Sequence, residues 1–295
     1  MAVDLKACVK TEYDKTPAKP ESERLIINVK QPVDFRARKA LGQNFLVDEN
    51  ILRKLAQEID PKPEDAFVEI GPGLGALTKH IVPVGCDYTG VEIDQRLVPL
   101  LREQFAAYTN CEIRHEDFRE TDLARIAMDK KHKLRVIGNI PYHLTSVIIF
   151  KVFSQREALA DMILTVQKEV AQRITAAPGG KEYGILAVMS QTFARTEILF
   201  NMSKHVFRPK PEVDSSVVRW QFHPPPLSIK DEEFYIAMVK AIFGQRRKTL
   251  KRSLASFLEK DDLSMIDAAI LQQRPEQLAI TELIELANIL YLSKT

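Results

Sequence analysis

The sequence predicts an α/β chain, with helices alternating with the strands of a mostly parallel sheet and a small all-helical C-terminal domain after it. Three features carry this prediction. From residue 66 onward short apolar runs alternate with helical stretches, as a parallel sheet with crossover helices requires. A glycine-rich turn, Gly71–Pro72–Gly73–Leu74–Gly75, joins the first apolar run to a helix, which is the setting a nucleotide-type loop needs. Pro224–Pro225–Pro226 can extend neither a helix nor a central strand, and everything after it has helical periodicity.

Taken in order, residues 1–30 carry mixed charges, Pro17 and Pro20 without sustained periodicity, and read as a flexible arm. Basic residues gather at Lys30, Arg36, Arg38 and Lys39, just before Gly42–Gln43–Asn44–Phe45–Leu46. Asp48 is placed to cap a helix that runs through Ile59, with Ile51, Leu52, Leu55 and Ile59 on one face. Strands are predicted at 66–70, 88–93, 111–115, 133–137 and 162–166. Helices are predicted at 76–82, 97–105, 144–153, 169–176 and 185–193. The runs 197–202 and 216–222 resemble an edge pair closing the sheet. The chain then reads as helix from Glu232, with turns near Gly244 and Pro275. This organisation gives an arm at 1–30, a sheet domain at 31–223 and a helical domain at 227–295.

Composition narrows the class. A hydrophobic share of 45% beside 28% charged residues fits a folded chain with a core and excludes a disordered one. No apolar run approaches the ~20 residues that span a bilayer, and the acidic residues Asp4, Glu12, Asp14, Glu21 and Glu23 argue against a transit peptide. A cytoplasmic location is therefore expected. Cys8, Cys86 and Cys111 show no paired spacing, and the six histidines are scattered, so reduced thiols and no metal are expected. A net charge of +2 says little about partners until its distribution is known.

Two places carry chemistry. In the first, Glu69 precedes Gly71, Gly73 and Gly75, and Glu92 lies about 20 residues on at the end of the next strand, where a carboxylate can take both ribose hydroxyls. The loop alone suits a dinucleotide or S-adenosylmethionine. Gly-x-Gly-x-Gly spacing, the lack of a Walker lysine, and Asp117 at the third strand's end favour the latter. In the second, Asn139–Ile140–Pro141–Tyr142 ends the fourth strand, because Pro141 has no N–H for the ladder and stiffens the residue before it. An amide, two carbonyls and a ring on a rigid turn can grip an aromatic amine. Away from both, Arg246, Arg247, Lys248, Lys251 and Arg252 form a one-sided basic run, read as one helical face suited to phosphates.

The motifs and their order resemble the ribosomal RNA adenine N6-dimethyltransferases, and among them the bacterial small-subunit dimethyladenosine transferases. Six segments carry the likeness: Leu41–Gly42–Gln43–Asn44–Phe45–Leu46, residues 69–78, Val91–Glu92–Ile93–Asp94, Asn139–Ile140–Pro141–Tyr142, residues 206–215, and residues 243–250. The resemblance implies a Rossmann-like S-adenosylmethionine-dependent methyltransferase domain, with S-adenosylhomocysteine as product. It implies that Asn44, Leu46, Gly71, Glu92, Asp117 and Asn139 line the cofactor site, and that Tyr142 and Phe207 sandwich the target adenine. Phe207, before the rigid Pro209-x-Pro211, is expected to face a pocket. The implied partner is small-subunit 16S rRNA within a 30S or pre-30S particle, engaged by a monomer without membrane or metal, and the implied product is N6,N6-dimethyladenosine at two adjacent adenosines. Glu116–Asp117–Phe118 departs from the family's usual Gly-Asp-Ala, keeping the acid with bulkier neighbours. A large-subunit methylase of the antibiotic-resistance type and a non-catalytic assembly factor are the alternatives.

Overall fold

Strand β2 (Ala66–Ile70) is buried at every position, as a central strand covered on both faces by helices must be. The structure, a computed structural model, describes residues 37–258 and 260–292. The predicted arm, and Lys30 and Arg36 of the first basic cluster, lie outside the described residues. Around β2 stand β3 (Asp87–Glu92), β4 (Cys111–His115), β5 (Leu134–Asn139) and β6 (Leu159–Gln167), and these five run parallel to one another. The order across the seven-stranded sheet is β4-β3-β2-β5-β6-β9-β7. Its last two members, β9 (Ser215–Phe222) and edge strand β7 (Ala194–Met202), run antiparallel, the edge pair expected from the sequence. The order reverses between β2 and β5, which opens a crevice at their C-terminal ends.

Helices cover both faces. On one lie α1 (Glu49–Ile59), α2 (Thr78–Ile81) and α3 (Leu97–Gln104), with Leu52, Ile81 and Leu101 in the core they share with Phe67 and Ile137. The other carries α4 (Leu123–Lys130), α5 (Thr145–Phe153), α6 (Lys168–Ile174) and α7 (Ile185–Phe193). Helix α4 is absent from the sequence reading, although its signals are present. Asp122 caps it by accepting from Arg125 N–H, and Leu123 and Ile126 are buried. At the strands' N-terminal ends Arg135 of β5 donates to Asp65 at 2.8 Å and to Asp161 at 2.9 Å, fixing the register of three neighbouring segments far from the crevice.

The segment after the proline run forms α8 (Glu232–Gly244), α9 (Leu250–Leu254), α10 (Ala268–Gln272) and α11 (Ile280–Leu292). It has no core of its own. Tyr235, Met238 and Leu283 belong to the same apolar cluster as Phe153, Val188 and Trp220 of the sheet layer. Tyr235 OH meets Thr192 Oγ1 of α7 at 2.8 Å, and Tyr183 packs edge-on against Phe243. The prolines mark a change of secondary structure within one hydrophobic body.

One expectation about the site is corrected here. Phe207 is fully buried, 0% exposed. It opens β8 (Phe207–Arg208), which pairs antiparallel with β1 (Phe45–Leu46) so that Phe207 lies opposite Leu46. Alternation along a strand sends successive side chains to opposite sides; Phe207 turns into the core with Ile163 and Val217, and Arg208 turns out. The pairing with β1 overrides the outward bias inferred from the prolines. Phe207→Ala is accordingly expected to cost about 3–5 kcal/mol of stability, as truncation of a packed core ring does. Urea denaturation measures this, and a loss below about 1 kcal/mol would mean the ring is not held as a core residue.

Candidate active site

The crevice between β2 and β5 deepens into a cavity of about 300 Å³, at the lower end of the usual range for small-ligand sites. The glycine turn forms its floor. Gly71 (φ +64°) and Gly73 (φ +62°) both take left-handed backbone that side-chained residues avoid. A Cβ on Gly71 would meet nothing within 4 Å, whereas one on Gly73 would press on the Phe45 ring at 3.1 Å. The chain is therefore bare where a ligand would approach and closely packed one step behind.

Glu92, at the end of β3, is 3% exposed and lines the cavity. One oxygen accepts from Gly73 N–H at 2.9 Å and the other from Asp94 N–H at 2.8 Å. Burial raises its pKa, opposed by these backbone donors. Glu69 also lines the cavity, but one of its oxygens is committed inward, accepting from Thr78 Oγ1 at 2.8 Å and Tyr88 OH at 2.5 Å. Burial pushes its carboxyl up to about 7. Asp117, past the end of β4, reaches the rim. Its carboxylate is held below the usual range by hydrogen bonds from Arg119.

The opposite wall is the corner after β5. Asn139 Nδ2 donates to the Asn44 carbonyl at 2.8 Å, which orients the carboxamide, and no donor among the described residues reaches Oδ1. Pro141 O accepts from Leu144 N–H at 3.0 Å and closes the turn. Tyr142 is half-buried, with its hydroxyl 2.6 Å from Ser215 Oγ on β9, which anchors the ring in the wall. Asn44, Leu46, Ile140 and Pro141 complete this side.

All the candidate cofactor and catalytic residues except Phe207 thus line one cavity. The sequence reading missed His143, Arg119 and Ser215. The first two stand on the cavity wall, and Ser215 ends the motif at 206–215, the only signal that marked it. The basic run lies elsewhere and is not one helical face. Arg246, Arg247 and Lys248 occupy the turn before α9, and only Lys251 and Arg252 are helical. Arg246 donates to the Lys181 carbonyl at 2.8 Å. The other four are exposed, with no acidic partner among the described residues. Among those residues no three His, Cys, Asp or Glu gather as a metal site would need, and no helix is long and apolar enough to cross a membrane.

Bare glycine backbone, a buried carboxylate one strand over, and a cavity at the switch point together fit a nucleoside-bearing cofactor, and the fold is that of the Rossmann-like S-adenosylmethionine-dependent methyltransferases. Within that class the assignment is specific: residues 34–290 match the model of the ribosomal RNA adenine dimethylases, and the chain belongs to that family. Ribosomal RNA small subunit methyltransferase A of Prosthecochloris aestuarii is 44% identical over 249 residues, covering 84% of this chain and 92% of that protein. Its counterpart from Chlorobium phaeobacteroides is 42% identical over 255 residues, covering 86% and 91%. A dimethyladenosine transferase from Plasmodium falciparum shares the fold, with a TM-score of 0.70 at 24% identity over 85% of this chain and 98% of that one. The 23S rRNA methyltransferase ErmE gives a TM-score of 0.62 at 26% identity over 82% and 98%.

Glu69 yields a pH prediction. Its native pKa, about 7, stands above the ordinary carboxyl value of 4.5, so the native state holds its proton longer than the unfolded chain. The stabilising contribution is complete below the unfolded value and is lost as pH rises through about 7. Glu69→Gln removes that loss. Between pH 5 and pH 8 the cofactor-free wild type should lose up to about 3 kcal/mol relative to the variant, as read by urea unfolding. Parallel pH profiles for the two proteins would refute the shift.

Proposed function

We propose that this protein transfers methyl groups from S-adenosylmethionine to the N6 amine of two adjacent adenosines in small-subunit rRNA, giving N6,N6-dimethyladenosine during assembly of the 30S particle. The observation that carries the reading is the Asn139 carboxamide, held by Asn44 with its oxygen free, in the same cavity as the glycine turn and Glu92. The small-subunit methyltransferases that the chain matches at 44% and 42% identity support the choice of substrate.

The bound cofactor supplies an electrophilic methyl on a sulfonium sulfur. Gly71 and Gly73 would admit it to the main chain, and Glu92 and Asp117 would hold its ribose and its adenine. The chain's remaining task is to prepare a poor nucleophile, because the adenine N6 lone pair is delocalised into the ring. Asn139 Oδ1 accepts one N–H of that amine. Since Pro141 O already serves Leu144, the Ile140 carbonyl is the better candidate for the other. Two acceptors at a fixed corner favour a pyramidal nitrogen. Orientation of this kind supplies ~7–11 kcal/mol in well-aligned reactions. Tyr142 gives the base a face to stack on, worth on the order of 1–3 kcal/mol. With Phe207 committed to the core, Tyr142 is the aromatic wall in this conformation. One N–H remains after the first transfer, so a second can follow without new machinery.

The working unit is a cytoplasmic monomer that needs no resident metal, and Arg247, Lys248, Lys251 and Arg252 meet the rRNA backbone. Purified protein should label unmethylated small subunits with N6,N6-dimethyladenosine and leave large subunits unlabelled, as mass spectrometry of digested nucleosides will show. Label in large subunits would move the assignment to the 23S enzymes, and none in either would make the chain a binding protein. Asn139→Ala should lower kcat at least about a hundredfold by loss of one positioned acceptor, with cofactor affinity changed far less. Neutralising Lys248 and Lys251 together should weaken rRNA binding and reduce the slope of log affinity against log salt by about 2. An unchanged slope would place the RNA elsewhere.

A further inference from the structure

The chain uses one local device at two neighbouring strand ends. Asp94, after β3, and Asp117, after β4, are each followed two residues later by an arginine that grips the carboxylate. Arg96 Nε lies 2.9 Å from Asp94 Oδ1 and its Nη2 2.6 Å from Oδ2. Arg119 Nε lies 3.0 Å from both Asp117 oxygens, and its Nη2 lies 2.5 Å from Oδ2. Their surroundings differ. Asp94 is 1% exposed and also accepts from Gln43, and the cavity wall includes neither it nor Arg96. Asp117 and Arg119 both stand on that wall.

We propose that Arg119 is a positioning residue for cofactor recognition: by clamping the Asp117 carboxylate it fixes the oxygen that accepts from the cofactor's adenine amino group. The inference rests on the cofactor reading above and adds to it a residue outside the motifs that carry the family likeness. A carboxylate offers about four acceptor positions. Three donors of residue 119 converge on this one: the backbone N–H at 2.9 Å to Oδ1, Nε shared between the oxygens, and Nη2 to Oδ2. Three donors against about four positions leave roughly one open, and one amino hydrogen is what an adenine presents there. The planar fork of an arginine sets the carboxylate plane in a way that a lysine cannot. The carboxylate, its pKa lowered by the arginine's hydrogen bonds, accepts from an amine and repels a purine carbonyl at the same place.

Equilibrium binding by calorimetry tests this without turnover. The probes are S-adenosylhomocysteine and S-inosylhomocysteine, which replaces the amino group by oxygen. Wild type should favour the first. Arg119→Ala should weaken it about tenfold, or about 1.4 kcal/mol, while S-inosylhomocysteine binding changes by less than about twofold, so that the ratio collapses. Arg119→Lys should recover the charge and only part of the ratio. Adding Arg119→Ala to Asp117→Asn should change the ratio no further. Unchanged or tighter S-adenosylhomocysteine binding by Arg119→Ala would overturn the proposal and make the ion pair ornamental or a competitor. If Asp117→Asn also leaves the ratio intact, the adenine assignment of Asp117 itself fails. A ratio lost in Asp117→Asn but kept in Arg119→Ala overturns the arginine's part alone.

Discussion

A single hydrogen bond organises the site: Gly73 N–H to the Glu92 carboxylate, 2.9 Å long and buried. It ties the turn after β2 to the end of β3, so the glycine backbone and the acidic group facing it cannot drift apart. A buried carboxylate is costly unless its lone pairs are met, and here backbone N–H groups from the glycine turn and from just after β3 meet them. The loop is thereby ordered through its own backbone N–H. That leaves the cavity face of Gly71 bare, while Asn139 and Tyr142 are braced from behind by Asn44 and Ser215.

Braces of this kind separate positioning from contact. The groups that would touch a ligand each have a second group that sets their orientation: Asp94 N–H for Glu92, Arg119 for Asp117, the Asn44 carbonyl for Asn139. The arrangement is stiff because most of these partners are backbone or short side chains on neighbouring strands. At the far ends of the same strands the Arg135 network does the corresponding work for the sheet, leaving the crevice end free of structural ion pairs between strands β2 and β5.

Much of this was legible in the sequence, for identifiable reasons. Apolar runs between turn residues located every parallel strand, because a strand covered on both faces has little compositional freedom. Glu69, Gly71, Gly73, Glu92, Asp117 and Asn139 could be placed together because parallel topology sends every strand end to one edge. Phe207 could not be read correctly. Its orientation depends on a two-residue ladder with Leu46, some 160 positions away, and local proline stiffness pointed the other way. The basic run was misread as one helical face because its composition is helical, whereas the chain turns until Thr249 before α9 begins. Ser215 carried no pattern of its own, since its role comes from what lies across a gap in space, whereas Arg119 stood in an Asp-x-Arg pattern shared with Asp94 and Arg96 that the sequence reading passed over.

The shared apolar cluster of α8 and α11 with α7 and Trp220 bears on how the molecule behaves as a machine. A segment that shares its apolar cluster with the sheet layer unfolds, and resists unfolding, together with that layer. The turn bearing Arg247 and Lys248 is therefore an outcrop of the same solid that holds the crevice. Load applied there passes into the sheet through the cluster the two share.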